Sequence, residues 1–153
     1  MIRRLLPLAL MVGAAGAAVG CNQDAPPGLQ PDPALREALG LDARDWVHPI
    51  QLRVRGSDEV AEPVRTRVEA GHWVDFRGGD ARGHLVRFDT TALAEEARAW
   101  LRSTDQVESP PLLTPASRWV VSFDEAPAGV YPFEVEGSAR SGTGFIQVDP
   151  GRE

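Results

Sequence analysis

Residues 72–88 read HWVDFRGGDARGHLVRF, two short runs separated by a turn rich in glycine. In the second run, His84, Val86 and Phe88 fall on one side of an extended chain, because successive side chains of a strand point to opposite faces. Arg87 falls on the other side. An alternation of this kind is typical of a strand with one buried face, and each run therefore predicts one β-strand.

The same two-residue period recurs through most of the chain. It predicts seven short strands, at residues 50–54, 64–68, 72–76, 84–88, 119–123, 129–136 and 143–148. Residues 91–101 break this period and place four apolar residues on one face of a helix with Thr91 as its N-cap, namely Leu93, Ala97, Trp100 and Leu101. Short alternating runs between turn residues predict an all-β domain, an antiparallel sandwich or barrel, here with one short inserted helix.

The N-terminus has the pattern of an export signal. A basic start at Arg3-Arg4 precedes the apolar or small residues 5–19, which predicts a secretory signal peptide over residues 1–20. Cys21 follows Ala18-Val19-Gly20, a sequence that resembles the bacterial lipobox, in which the cysteine sulfur receives a diacylglyceryl group. The resemblance implies a lipid anchor on Cys21 in the bacterial cell envelope, facing the periplasm or the exterior. The alternative is an ordinary signal peptide followed by a stray cysteine.

A proline-rich segment follows the cysteine. Residues 22–33 contain four prolines and predict an extended spacer. Asp32 and Pro33 predict the N-cap and first turn of a short helix that ends at Gly40. The predicted organisation is therefore a signal peptide at 1–20, a lipidated cysteine with spacer and short helix at 21–45, and a folded domain at 46–149.

Composition excludes several classes of function. The chain has 153 residues, with 16 Lys+Arg against 22 Asp+Glu, and no lysine. Without the predicted signal peptide the balance is 14 against 22, or −8, which argues against nucleic acid as a partner because such binding depends on clustered positive charge. The single cysteine excludes a disulfide framework, a thiolate zinc site and an iron–sulfur cluster.

Four segments in order resemble the cupredoxins, the plastocyanin and azurin family. They are VEAGHWVDF at 68–76, HLVRF at 84–88, APAGVYPF at 126–133 and GFIQV at 144–148. The resemblance implies a seven-stranded Greek-key cupredoxin-like sandwich over the predicted domain. It also implies a copper-ligating histidine at the start of a strand, with a ligand cysteine, a second histidine and usually a methionine near the C-terminus.

The copper ligands of that family are not matched. The cysteine position holds Val135, the second-histidine position falls near Ser138, and the axial position falls near Gly142 or Thr143. Because type 1 copper needs a thiolate with two imidazoles, we expect this site to be lost. His84 alone stands at a ligand position. It is a remnant metal ligand, part of a small polar pocket at that end of the sandwich or, as we favour, a half-exposed histidine bonded to the 78–83 turn.

The other two histidines do not complete a metal site in the sequence. His72 begins the strand that runs toward His84, so the two rings are expected near opposite ends of that strand. His48 precedes Pro49 and is expected on the surface, at the beginning of a strand. The sequence predicts no zinc or copper set from these residues.

The sequence therefore predicts a lipid-anchored, cupredoxin-like interaction module without a cofactor, whose partner is an unidentified protein or small molecule. The alternative is a copper-binding or electron-transfer protein with a degenerate site at His84. A third alternative, an enzyme, lacks a supporting constellation. Glu134 and Glu136 share an outward strand face that predicts solvation rather than acid–base catalysis, and the sequence has no nucleophile-elbow motif.

Overall fold

A computed structural model describes residues 23–151 of the chain. The predicted signal peptide and Cys21 lie outside the described residues. Within residues 23–151, no helix is long and apolar enough to cross a membrane.

The described residues form eight strands, two α-helices and one short 3-10 helix. In chain order these are a 3-10 helix at Pro27–Leu29, α1 at Pro33–Leu39, β1 at Val47–Arg55, β2 at Asp58–Glu62, β3 at Arg65–Glu69, β4 at Trp73–Gly78, β5 at His84–Phe88, α2 at Glu95–Ser103, β6 at Arg118–Ser122, β7 at Gly129–Gly137 and β8 at Gly142–Asp149.

The strands form two four-stranded sheets packed as a sandwich. One sheet has the order β2-β1-β4-β6 and the other β3-β8-β7-β5. The pairs β1–β4 and β3–β8 are parallel, whereas the other neighbours are antiparallel. The chain crosses from one sheet to the other at each of the five connections from β2 to β7, and only β1–β2 and β7–β8 are consecutive strands within one sheet. The predicted all-β sandwich is confirmed.

The strand count differs from the predicted seven because β2 is an additional strand. It forms an antiparallel hairpin with β1, in which Arg55 lies opposite Asp58 and Gln51 lies opposite Glu62. Its sequence, DEVAE, is acidic and resembles a loop, yet Glu59 and Ala61 alternate inward and are both buried. Because the inward-facing Glu59 is charged, the sequence of β2 lacks the apolar alternation from which a strand is predicted.

The core lies between the sheets and is dominated by aromatic rings. Eight buried side chains at alternate strand positions form most of it, and these are Phe76, Val86, Phe88, Val121, Phe123, Tyr131, Phe133 and Ile146. Val64, the first residue of a predicted strand, is by contrast 53% exposed. The rings meet mainly edge to face, the geometry that aromatic pairs prefer; the Phe76 and Phe133 centroids, for example, are 5.1 Å apart at 83°. Val135 continues this buried row at the predicted cysteine position.

Helix α2 begins later than the spacing predicts. Thr91 is not its N-cap, because its backbone N–H and hydroxyl both donate to Asp89 Oδ1 in a turn that precedes the helix. Ala94 takes the cap position, with no side-chain hydrogen bond. The predicted apolar face is correct, since Leu93, Ala97 and Leu101 are all buried.

The segment before β1 is folded rather than an extended spacer. Helix α1 has the predicted bounds: Asp32 Oδ1 accepts a hydrogen bond from Leu35 N at 3.0 Å, and Gly40 ends the helix at φ 69°. Leu35 and Leu41 are buried in a second, smaller core on the outer face of the β2-β1-β4-β6 sheet. The other members of that core are Val47, Trp73 and Val120. Proline content predicts a stiff segment correctly but does not show that the segment has apolar side chains to bury.

Candidate functional site

The sandwich has two ends, and the histidines are divided between them. Because β1 and β4 are parallel, both begin at one end, where Val47 lies opposite Trp73. We call this the His72 end, since His72 directly precedes β4. Both strands finish at the other end, which we call the His84 end.

His84 lies between two carboxylates. Its Nδ1 is 2.8 Å from Glu59 Oε2, and its Nε2 is 2.9 Å from Asp80 Oδ1. The side chains of His84 and Glu59 are wholly shielded from solvent, whereas Asp80 is partly exposed. The prediction of a half-exposed His84 is therefore wrong: the residue is only 2% exposed, although its bond to the turn is present.

The two carboxylates determine what the imidazole can do. An ionised carboxylate only accepts hydrogen bonds, so each contact requires a hydrogen on the facing ring nitrogen. Both ring nitrogens of His84 are therefore engaged by carboxylate oxygens, and neither faces open space where a metal ion could approach it. We call Glu59, His84 and Asp80 the triad, and its geometry favours an architectural role for His84.

Both carboxylates are themselves held by backbone amides. Glu59 Oε1 accepts from Ala139 N at 3.0 Å, and Asp80 accepts from Val54 N at 2.8 Å and Arg82 N at 3.0 Å. Burial opposes ionisation of Asp80, but these amides and the His84 ring outweigh it and hold the pKa of Asp80 below its usual value.

The sequence analysis missed the Glu59 and Asp80 contacts, although a signal for each exists. Asp80 lies four residues before His84 in a turn that brings the chain back on itself. Glu59 has the inward parity of Ala61 in the DEVAE run. What the sequence could not show is that β2 and β5, which belong to different sheets, place these side chains in contact.

The residues at this end do not fit a type 1 copper site. Val135 is buried and pairs with Val86, so the position of the family's thiolate holds part of the apolar core. Residues 23–151 contain no cysteine, and no group of three or more His, Cys, Asp or Glu residues among them is arranged to hold a metal ion. His84, the predicted remnant ligand, has both ring nitrogens engaged.

An open cleft of about 380 Å³ adjoins the triad. Its lining residues are Gly83, His84, Leu85, Pro111, Leu113, Glu136 and Gly137. The loop that carries Pro111 and Leu113 is fastened to β5, since Leu112 and His84 exchange backbone hydrogen bonds of 2.8 and 3.0 Å. Leu113 is 63% exposed, an unusual position for a large apolar side chain held on a fixed loop.

The His72 end brings the other two histidines together. His48 Nε2 lies 3.0 Å from His72 Nδ1, and the Trp46 ring lies nearly parallel to His72 with the centroids 5.1 Å apart. Burial, with the neighbouring His72, lowers the pKa of His48 to about 4. Burial also lowers the pKa of His72, an effect that Glu69 opposes. The expectation that His48 is a surface residue is wrong, since this ring is partly buried.

His72 and His84 do not form a pair. His72 directly precedes the first residue of β4, whereas Asp80, which contacts His84, follows the last residue of β4 and accepts a hydrogen bond from Val54 near the end of β1. This agrees with the sequence expectation that the two rings lie near opposite ends of a strand.

No protein-family model matches the chain, and no curated protein matches it either. Similar solved structures are cupredoxins. A purple cupredoxin from Nitrosopumilus maritimus is 19% identical over 67% of this chain and 99% of that chain, with a TM-score of 0.44. A reduced Cu(I) form of amicyanin is 19% identical over 69% and 84%, with a TM-score of 0.48. Pseudoazurin from Methylobacterium extorquens is 18% identical over 70% and 76%, with a TM-score of 0.46. These proteins belong to the family that the sequence motifs resemble.

Proposed function

We propose that this chain is a lipid-anchored, extracytoplasmic interaction module that uses neither type 1 copper nor another cofactor and is not an enzyme. The anchor is Cys21, and the location is the bacterial cell envelope, facing the periplasm or the exterior. The interaction surface is the cleft at the His84 end, and the partner is a protein segment that presents an apolar side chain to Leu85, Pro111 and Leu113.

One observation carries this proposal. The end of the sandwich where the family binds copper is closed by the Glu59–His84–Asp80 triad and by Val135, and the open space lies beside it. A fold can keep its architecture while its function changes, so function has to be argued from the site. This site offers an apolar recess with an exposed leucine at its rim, which is suited to binding rather than to electron transfer.

The anchor is tested by Cys21→Ser in the full chain. The wild-type protein should fractionate with the membrane, and the variant should be soluble or remain as uncleaved precursor. A variant that stays membrane-bound at mature size would show that Cys21 is not the anchor. Ser103→Ala, far from the signal segment, serves as the matched control and should fractionate as the wild type does.

The copper question is tested on the full chain, purified in detergent and loaded with Cu(II). Because the domain has no thiolate to give intense ligand-to-metal charge transfer, we expect no strong visible absorption and no stoichiometric copper. Tight, stoichiometric copper that is lost in His84→Ala but kept in His72→Ala would reverse the proposal in favour of a metal-handling protein with its site at His84.

The interaction surface is tested with a photo-crosslinking amino acid placed at position 113 in living cells. Val130, 46% exposed on a different part of the sandwich, provides the matched control position. We expect a discrete adduct from position 113 and none from position 130. The same adduct pattern from both positions, or none from either, would contradict the assignment of the cleft.

A further inference from the structure

We propose that the folded segment at residues 25–45, which we call the strap, holds the sandwich directly against the lipid surface. In this arrangement the His72 end lies near the bilayer and the His84 end points away from it. This inference rests on the proposed lipid anchor at Cys21, and it adds the orientation of the domain and the side from which a partner can approach.

The strap begins almost at the anchor. Ala25 is only 2% exposed, its N–H donates to Ala43 O at 2.8 Å, and its carbonyl accepts from Gln30 Nε2 at 2.8 Å. Only Asn22, Gln23 and Asp24 separate it from Cys21. Four extended residue steps span at most about 14 Å, so a lipidated Cys21 cannot lie further than that from Ala25.

A partly buried ion cluster fastens the strap to the outer face of the sheet. Arg118 donates to both carboxylate oxygens of Asp32, at 3.2 and 2.9 Å, and also binds Asp75, which is completely buried. The hydrogen bond from Arg118, helped by the Leu35 amide, lowers the pKa of Asp32 to about 2. Charge-assisted contacts of this kind, shared among several groups, are stronger than an isolated surface pair.

The beginning and the end of the strap meet at the His72 end of the sandwich, whereas Asp32 in its middle reaches along the sheet to Arg118, opposite Arg77 near the end of β4. Leu41 packs with Val47 and Trp73, the first residues of β1 and β4, and Ala43, which accepts from Ala25 N, follows two residues later. Val54, whose amide binds Asp80 at the other end, lies seven residues further along β1, roughly 23 Å away at the rise of a strand. The tether is therefore too short for the domain to stand on its His84 end while the strap is bound.

Charge does not set this orientation. The turn beside the anchor carries Asp42 and Asp45 against the single Arg44, and Asp24 adds a further negative charge. A surface of this composition has no attraction for anionic lipids, since such attraction depends on clustered Lys and Arg. The orientation should therefore be the same in neutral and anionic vesicles.

The orientation is testable with single labelled cysteines, because Cys21 is the only native cysteine and its sulfur is blocked by the lipid. Arg44→Cys places a fluorophore beside the strap, and Leu113→Cys places one at the His84 end. The full lipidated chain is reconstituted in phosphatidylcholine vesicles that contain a lipid with a quencher on its headgroup. We expect quenching at position 44 to be several-fold greater than at position 113. Equal quenching, or greater quenching at position 113, would overturn the orientation.

A longer tether is the matched control. Inserting about twelve Gly/Ser residues between Asp24 and Ala25 adds a flexible span of roughly 20 Å without changing the strap, and should abolish the difference between the labels. A difference that persists with the long tether would show that the tether does not orient the domain. A chain that fails to sediment with vesicles overturns the anchor itself, whereas a bound chain with equal quenching overturns only the orientation.

Discussion

The two ends of the sandwich surround their histidines with different groups. At the His84 end, one imidazole is fully enclosed and has a carboxylate oxygen within hydrogen-bonding distance of each ring nitrogen. At the His72 end, His48 and His72 contact each other in a partly buried pair, and burial lowers the pKa of both. Residue type is therefore a poor guide to role in this molecule: the neighbouring acceptors decide whether a histidine stabilises the fold or responds to pH.

Because His84 is enclosed and His48 and His72 are only partly buried, a change at the His84 end should reduce stability more than one at the His72 end, and we expect a large effect from removal of Glu59. Glu59→Ala leaves the buried His84 ring and the Ala139 amide without their partner, and removing one member of a buried, hydrogen-bonded pair of this kind costs about 3–5 kcal/mol. Glu62→Ala on the same strand removes only exposed contacts with Arg53 and Arg55, and should cost less than about 1 kcal/mol. Denaturant unfolding measures both, and similar values for the two variants would contradict the triad.

A methyl group at Gly137 tests how tightly the same end is packed. A Cβ there would lie 2.7 Å from Gly83 O and would also meet the Glu59 carboxylate. We expect Gly137→Ala to lower the unfolding free energy by about 1–3 kcal/mol, as overpacking does. The control is Gly28→Ala, where a Cβ meets nothing within 4 Å. A neutral Gly137→Ala would show that the triad can move away easily.

Lowering the pH should destabilise the folded protein through His48 at the His72 end. The pKa of His48 is lowered to about 4 from 6.5, so the unfolded chain binds the proton more readily than the folded one. Stability from this group is thus complete above pH 6.5 and is lost as the pH falls toward 4. Because the ring is only partly buried, we expect a loss on the order of 1 kcal/mol, smaller than the full shift implies. In His48→Gln, the melting temperature should depend less on pH between pH 4 and pH 6.5 than in the wild type. The same pH dependence in both proteins would contradict the assignment of this effect to His48.

The smallest effect on stability is expected at the rim of the cleft. Leu113 is 63% exposed, and Leu113→Ala should change the unfolding free energy by less than about 0.5 kcal/mol. Its neighbour Leu112 is 1% exposed and should cost about 2–5 kcal/mol when truncated to alanine. Thermal unfolding distinguishes the two. A large loss from Leu113→Ala would show that this leucine is part of the core rather than a contact for a partner.

Patterns within short stretches of sequence predicted the features that depend on residues close together in the chain. The two-residue period identified the buried rings, and Asp32 with Pro33 identified α1 to its last residue. Contacts between elements were not predictable in the same way. The His48–His72 contact depends on the parallel pairing of β1 with β4.

The triad was missed for the same reason, since Glu59 and His84 belong to different sheets. Strand period assigned His84 correctly to the inner face, but it could not reveal the acceptors that face it. A carboxylate at an inward position, such as Glu59, breaks the apolar alternation that predicts a strand, and only its contact with His84 explains why it is buried. The spacer expected at residues 22–33 was missed as a folded segment for the same reason, since Ala25 is buried through a backbone hydrogen bond to Ala43, which follows it in the sequence.

The parallel pairing of β3 with β8 has a consequence for the time course of folding. Arg65 lies opposite Phe145, so this sheet cannot form completely until nearly the whole chain is present. The hydrogen bond from the Ala139 amide to Glu59 likewise joins residues that are far apart in the sequence. Contacts between residues so distant in sequence form slowly, because the entropy of closing the intervening loop is lost first. The β3-β8-β7-β5 sheet is therefore complete only after the last strand, Gly142–Asp149, has joined it.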